Sequence, residues 1–285
     1  MASERDADIT GHYTDGALFE RLCALLLADG VDPNHPTLAD LAPYDQFHGR
    51  AFEATRELAD LFDPALLRPG LEGHLLDIGC GIGGPARYLA DRFGCRVTGI
   101  DLTEEFIDVA SRLTDLVGMS GLVSFELGNA LATPFDDDSF DGAFCMNVSM
   151  NIADKDGFYR ETLRVLRPGA PLVLSELASG NPDAVDYPTP WAETEAASFL
   201  VSVEETVSGL EAAGFRVETV RDATEANLEF GKRSKAMLDR GEKPPHRGVH
   251  LIHGPALAKV ATANTAKGIM SGNLTPIEVL CRKEV

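Results

Sequence analysis

The stretch Leu75-Leu76-Asp77-Ile78-Gly79-Cys80-Gly81-Ile82-Gly83-Gly84 runs from apolar residues into a carboxylate and then into glycines on alternate positions. A second apolar run, Val97-Thr98-Gly99-Ile100, ends on Asp101, 18 positions beyond Gly83. Residue types in this order describe a strand, a tight turn and a helix that bring backbone against a nucleoside. The second strand then ends in a carboxylate that clamps a ribose. Pyrophosphate bound at helix N–H groups tolerates no neighbouring anion, so Asp77 argues against a nicotinamide dinucleotide. A nucleoside carrying positive charge fits instead, and S-adenosylmethionine, with its sulfonium and ammonium groups, meets that requirement.

Within this constellation, side chains at Gly79 or Gly81 would stand where the methionine part of the ligand must lie. Gly83 or Gly84 would let helix and strand pack closely. Cys80 reads as a backbone position of the turn, not a nucleophile. Asp101 is placed to accept both ribose hydroxyls through charge-assisted bonds, with Leu102 beside it. The segment Gly128-Asn129-Ala130 follows a third apolar run. Asn129 could accept from the adenine amino group and Ala130 could offer its amide to the ring; an ordinary turn is the alternative.

The elements that must position these groups alternate from residue 73 onward. Strands are expected at His74–Ile78, Arg96–Ile100, Val123–Glu126, 141–148, Pro171–Glu176, Phe215–Val220 and Thr275–Cys281. Helices are expected from Pro85 to about Phe93, from a Thr103 cap with Glu104 and Glu105 in its first turn, and over Lys155–Leu166. Such alternation implies a parallel sheet with helices on both faces. Upstream, Leu18, Leu22, Leu25 and Leu26 recur at helical spacing, as do Phe52, Thr55, Leu58 and Phe62, around a loop from Asp32 to His48. The punctuation Asp63-Pro64 and Arg68-Pro69-Gly70 divides an N-terminal helical cap, 1–70, from the domain 71–285. Two stretches exceed ordinary connections and read as lid insertions, at about 178–202 and 223–272, the latter with helical patterns at Glu225–Leu238 and Ala256–Ile269.

The chain has 285 residues and a formal net charge of -20, which disfavours nucleic acid and anionic membrane surfaces as partners. No apolar run approaches the ~18 residues of a membrane span. Five scattered cysteines form no disulfide framework, and residues 1–10 are too acidic and polar for a targeting segment, so a cytoplasmic location is expected.

Taken together, Leu76-Asp77-Ile78-Gly79-Cys80-Gly81-Ile82-Gly83-Gly84-Pro85-Ala86, Pro134-Phe135, Ser139-Phe140-Asp141 and Val165-Leu166-Arg167-Pro168-Gly169 resemble a class I S-adenosylmethionine-dependent methyltransferase. The resemblance spans roughly residues 70–180 and points to the small-molecule group. That group includes sarcosine/dimethylglycine N-methyltransferases, sterol C-methyltransferases and ubiquinone/menaquinone C-methyltransferases. It implies an α/β fold with a Rossmann-like seven-stranded sheet, the last strand antiparallel, helices on both faces and added helical cap elements. One departure is Asn129, where the family usually has Asp. The Asn/Asp-Pro-Pro-Tyr/Phe signature of nucleic-acid and protein-amide methyltransferases is missing after strand four, where Met146-Asn147-Val148-Ser149-Met150-Asn151 stands.

The expected reaction is in-line displacement of the sulfonium methyl by a lone pair on a small-molecule acceptor, releasing S-adenosylhomocysteine. An amine nitrogen is favoured and a carbon acid on a lipid, quinone or other metabolite is the alternative. A protein that binds the nucleoside and transfers no methyl is the rival from another class. Met146 completes the expected cofactor set. Gln46, Asn147, Met150, Asn151 and Trp191 are candidates for holding the acceptor, against plain packing; Trp191 could offer a cation–π face or anchor its own loop. In resembling enzymes an N-terminal Tyr and a His before the cap helix lie over the cofactor. Tyr13 and His48 are therefore the candidate catalytic pair, although His48 could equally be a satisfied loop histidine and His12 reads as solvated. His246, His250 and His253 lie beside Pro244-Pro245 with no Cys or Glu to complete a ligand set, so no metal is expected. Homo-oligomerisation is left open.

Overall fold

The structure is a computed structural model that describes residues 16–63, 72–180, 185–244 and 246–284. Tyr13, His12 and the Arg68-Pro69-Gly70 turn lie outside the described residues.

Seven strands form one sheet: β1 (His74–Ile78), β2 (Arg96–Asp101), β3 (Val123–Leu127), β4 (Gly142–Met146), β5 (Pro171–Ser179), β6 (Phe215–Asp222) and β7 (Leu274–Lys283). Their order is β3-β2-β1-β4-β5-β7-β6. The first five pair in parallel, while β7 runs antiparallel to both β5 and β6. The expected fold class is thus met, including the reversed last strand.

The central strands are apolar on both faces, as a doubly covered sheet requires. Leu76, Ala143, Cys145, Leu172 and Leu174 enter one core with Phe158, Tyr159 and Leu210. Their immediate neighbours Leu75, Phe144, Met146 and Val173 enter a second core with Leu58, Ala86 and Leu89. The helices supplying these layers are α3 (Ala51–Asp60) and α4 (Gly84–Phe93) on one side, and α6 (Lys155–Val165) and α7 (Val203–Ala213) on the other. Helix α5 (Glu104–Leu116) follows β2. Thr103 sits at its N-cap, but its side chain makes no capping bond; the Thr103 amide instead donates to Asp101 Oδ1 at 2.9 Å. The expected capping role therefore passes to a carboxylate of the candidate site.

Helices α1 (Leu18–Ala28) and α2 (Leu38–Leu41) precede α3. Leu18, Leu22 and Leu26 are buried against Ile82, Phe106 and Leu251, whereas Leu25 turns outward at 37% exposure, contrary to the spacing argument. Between β6 and β7 run α8 (Thr224–Asp239) and α9 (Gly248–Ser271), the latter kinked at Gly254-Pro255. The first of these begins one residue before the expected pattern, and the second begins eight residues before it.

The loop after α2 lies between the two halves of the molecule. A Cβ on Gly84 would come within 2.2 Å of the Asp45 carbonyl oxygen, so only glycine lets the loop approach the start of α4 this closely. Asp45 accepts from Arg87 at 2.9 Å, and both side chains are at most 4% exposed. The same guanidinium donates to the Ile82 carbonyl (2.9 Å) and to Thr114 Oγ1 (3.1 Å). One buried cation thus ties the glycine turn, α5 and the N-terminal segment together.

Removing one partner of such a pair leaves an uncompensated buried charge. Asp45→Ala is expected to lower unfolding free energy by ~3–5 kcal/mol, measured by chemical denaturation. A loss near that of an ordinary exposed ion pair, under ~1 kcal/mol, would show that the guanidinium is not desolvated.

Candidate functional site

The carboxyl ends of β1, β2 and β4 open onto a cavity of about 1140 Å³ at the point where strand order reverses. Single-ligand pockets run roughly 300 to 1,000 Å³, so this space admits a nucleoside and a second molecule together. Its floor is built by the glycine turn. Ile100 carbonyl accepts from the amides of Gly79 (2.8 Å) and Cys80 (3.0 Å), fixing the turn over β2. Gly81 amide donates to Asp101 Oδ2 and Thr103 amide to Oδ1, both at 2.9 Å, and the Leu102 amide and the Thr103 hydroxyl also hydrogen-bond to this carboxylate. Burial raises the Asp101 pKa, against the lowering effect of those amides.

Gly79, Gly81, Asp101, Leu102, Asn129, Ala130, Met146, Asn147, Met150, Asn151 and Trp191 all line this cavity. Asn129 Oδ1 already accepts from the Leu131 amide at 2.8 Å, so part of its expected acceptor capacity is spent on its own turn. Gly79 has φ +73°, and a Cβ there would lie 2.3 Å from Val148 Cγ2. A Cβ on Gly81 would lie 3.1 Å from Phe47 Cδ2. A side chain at Gly79 is therefore excluded by protein, not by ligand space alone, whereas one at Gly81 would require Phe47 to give way by a few tenths of an ångström. Gly83 is buried away from the cavity, its missing Cβ replaced by Phe125 of β3, in accord with close helix–strand packing.

Asp77 does not face the large cavity. With His48 and Cys80 it lines a narrow cleft of about 30 Å³ that shares Phe47, Gly79, Gly81 and Met146 with it. Asp77 is 2% exposed and its Oδ2 has no hydrogen-bond partner. Burial, and then the neighbouring Asp101, push its carboxyl well above the usual carboxylate range. A buried carboxyl oxygen without a donor fits an incoming cation that displaces the carboxyl proton, and the narrow cleft is where an ammonium could reach it. Cys80 is 4% exposed and burial pushes its thiol far up, consistent with a backbone role.

His48 and Gln46 depart from the expected placement. Neither lines the large cavity. His48 Nδ1 donates to the Gly49 carbonyl (3.2 Å) and Nε2 faces Thr55 Oγ1 (3.1 Å) and Gln46 Oε1 (3.2 Å). Gln46 Oε1 accepts from Thr55 at 2.5 Å and its Nε2 donates to Asp45. Burial lowers the His48 pKa to about 4. A neutral ring that donates through Nδ1 keeps Nε2 as an acceptor beside Thr55, and it lines the small cleft by the glycine turn instead of the large cavity.

Two groups escaped the spacing arguments. Phe47 covers the glycine turn, and its ring lies 5.4 Å from Phe106. His253 lines the far end of the cavity beside Trp191, Val249 and Ile252, with Nε2 donating to the Pro190 carbonyl at 3.0 Å. Trp191 is 5% exposed and donates through Nε1 to Ser198 at 2.9 Å, while Asn151 Nδ2 donates to the Trp191 carbonyl at 2.8 Å. Among the described residues no group of three His, Cys, Asp or Glu side chains could hold a metal ion.

The methyltransferase domain family matches residues 76–174. The chain is 32% identical over 224 residues to O-methyltransferase cnsE of Penicillium expansum, covering 70% of this chain and 80% of that one. It is 32% identical over 145 residues to norajmaline N-methyltransferase of Rauvolfia serpentina, about half of each chain (51% and 49%). A phosphoethanolamine N-methyltransferase of Haemonchus contortus, solved with phosphomonomethylethanolamine and S-adenosylhomocysteine, superposes with a TM-score of 0.72 at 19% identity. That match covers 100% of this chain and 61% of the other.

Two measurements follow from the two carboxylates. Because Asp77 is protonated over a wider range than an exposed carboxylate, cation binding at it must displace a proton. Affinity for S-adenosylmethionine is expected to rise with pH above the ordinary carboxylate range, because burial and Asp101 raise the Asp77 pKa, and Asp77→Asn is expected to flatten that rise. Titration calorimetry at several pH values reads this directly, and an unchanged slope in the variant would remove Asp77 from the site. Asp101→Ala strips charge-assisted bonds and is expected to weaken cofactor binding by ~2 kcal/mol, roughly thirtyfold. An unaltered dissociation constant would exclude Asp101.

Proposed function

Because this chain belongs to the S-adenosylmethionine-dependent methyltransferases, we propose that its acceptor is an apolar amine held between the β4 loop and α9. The enzyme takes its methyl group from S-adenosylmethionine and releases S-adenosylhomocysteine. The site fits that cofactor: Asp77 offers an unpartnered buried carboxylate oxygen, Asp101 presents two anchored ones, and Asn129 and Ala130 edge the adenine end. When bound, the cofactor supplies an electrophilic sulfonium methyl.

The observation that carries the acceptor class is the charge of the cavity wall. Asp101, Asp154 and Glu193 line it, and no Lys or Arg does so among the described residues. Beyond the glycine turn the wall is Met150, Ile152, Pro190, Trp191, Phe199 and Val249, which favours an apolar body. A phosphorylated acceptor, as in the Haemonchus structure, would meet carboxylates and no cation here. The chain's own residues then act by alignment and by water exclusion. Phe47, Met146 and Val148 close the space over the turn, and Trp191 offers a ring face to a positive nitrogen. Charge disperses away from sulfur during transfer, so a dry wall costs the transition state less than the reactants.

Similarity to an O-methyltransferase over most of the chain, with the His253 imidazole at the acceptor end, supports O-methylation of a weakly acidic hydroxyl as a second reading. All five cysteines are free thiols, which supports the cytoplasmic reading; no helix among the described residues is long and apolar enough to cross a membrane. The formal charge of -20 supports a small-molecule acceptor over nucleic acid.

Labelled S-adenosylmethionine should transfer label to apolar secondary amines at least tenfold faster than to phosphorylated amines or diphosphates. Mass spectrometry of the products reads the acceptor atom. Transfer confined to phenols would establish the second reading, and preference for the phosphorylated amines would overturn both.

A further inference from the structure

The segment 146–152 leaves β4 and lines the cavity with Met146, Asn147, Val148, Met150, Asn151 and Ile152. It has little regular structure of its own, only a single 3₁₀ turn at Ser149–Asn151, and Asn147 holds φ 56°. Such backbone keeps its shape only where its surroundings fix it. Two charged side chains from outside the cavity do so. Glu176, on β5 and 5% exposed, accepts through Oε1 from the amides of Val148 (3.3 Å) and Ser149 (3.2 Å) and from the Cys145 thiol (3.3 Å). Lys155, at the start of α6, donates through Nζ to the carbonyls of Ser149 and Ile152, the latter at 3.0 Å.

The two clamps act on opposite polarity of the same short stretch. The carboxylate gathers two consecutive N–H groups and the ammonium gathers two C=O groups, adding to the segment's own bonds from the Asn151 amide to the Val148 carbonyl and from the Ile152 amide to the Ser149 carbonyl, each 2.9 Å. We propose that Glu176 and Lys155 are positioning residues for methyl transfer, setting the loop that leaves β4 and lines the cavity.

Two contacts carry that position onward. Val148 fills the space that a side chain on Gly79 would need, which presses the loop on the cofactor floor. On the other side Asn151 binds the Trp191 carbonyl and the Phe199 amide donates to the Met150 carbonyl at 2.8 Å, which seats the 187–199 loop. Releasing the clamp should therefore loosen the cofactor end and expose the acceptor end together. A contribution to the general core would leave the local readouts in step with global stability.

Trp191 is the single tryptophan of the chain, so its fluorescence reports this loop alone. The test uses the full chain, S-adenosylhomocysteine as ligand and acrylamide as quencher. Glu176→Ala is expected to raise the Trp191 quenching constant about threefold and to weaken S-adenosylhomocysteine binding about tenfold, at temperatures where circular dichroism shows it folded. Glu176→Gln keeps an acceptor oxygen for both amides and is expected to stay within about threefold of wild type in both readouts. If the alanine variant does not fold, Lys155→Met, which removes only the carbonyl ties, is expected to show the same joint change. Folded alanine or methionine variants with wild-type quenching and affinity would overturn the proposal, as would a glutamine variant no better than alanine.

Discussion

Arg87 sits with no exposed surface beneath the glycine turn, and much of the molecule is arranged around keeping its charge paired. A guanidinium taken out of water costs several kcal/mol unless its donors are met, so its partners cannot be moved independently. Asp45 supplies the counter-charge, Ile82 carbonyl belongs to the turn that forms the cofactor floor, and Thr114 belongs to α5. The floor of the site and the segment that covers it are thereby held in one register. Gly84 makes this approach sterically open, and Gly248 does the same for the other side of the loop, where a Cβ would meet the Gln46 carbonyl oxygen at 2.7 Å.

This arrangement accounts for the character of the N-terminal loop. Gln46, Thr55 and His48 read as chemistry when taken as residue types, since a His beside an amide and a hydroxyl is a familiar catalytic grouping. Their geometry is inward: the Thr55 hydroxyl donates to Gln46 Oε1, Gln46 Nε2 to Asp45 and His48 Nδ1 to the Gly49 carbonyl. With its pKa held near 4 by burial, His48 stays neutral and the network stays intact across the physiological range. What the loop presents to the cavity is the apolar Phe47, which shields the turn from water. The polar residues beside it are the means by which that ring is held.

The sheet, its order of layers and the cofactor end of the site were legible because they rest on local signals. Alternate glycines after an acid, a carboxylate ending the next apolar run, and strands apolar on both faces are each written in a few consecutive residues. The strand register at Asp77 and Gly99 then brings β1 and β2 side by side without further instruction. The acceptor end was less legible for a physical reason. It is assembled from β4, the 187–199 loop and α9, which are joined by contacts such as Asn151 with Trp191 and His253 with Pro190. No spacing rule links residues that are 40 or 63 positions apart. Arg87 and Glu176 were hidden for the opposite reason: in sequence a charged residue on a helix or strand reads as solvated surface, and only the fold shows it buried.

The division between legible and hidden parts follows the chemistry. The cofactor is one fixed molecule, so backbone contacts and two carboxylates suffice, and these leave a compact trace. The rest of the cavity wall has a polarity set by absence as much as by presence: carboxylates at Asp154 and Glu193, and no lysine or arginine on that surface among the described residues. The chain carries 25 Lys and Arg, so their exclusion from the cavity is a property of the fold and not of composition. Those cations are used elsewhere: Arg50 and Arg221 meet Glu278 and Glu57, and Arg247 and Lys243 meet Asp29 where the start of α9 rests on the N-terminal segment. Positive charge thus fastens elements of the fold to one another, while the cavity lining carries carboxylates, two of them on exposed residues, among apolar side chains. A phosphate brought to that wall would meet Asp154 and Glu193 and no ammonium or guanidinium of the described residues.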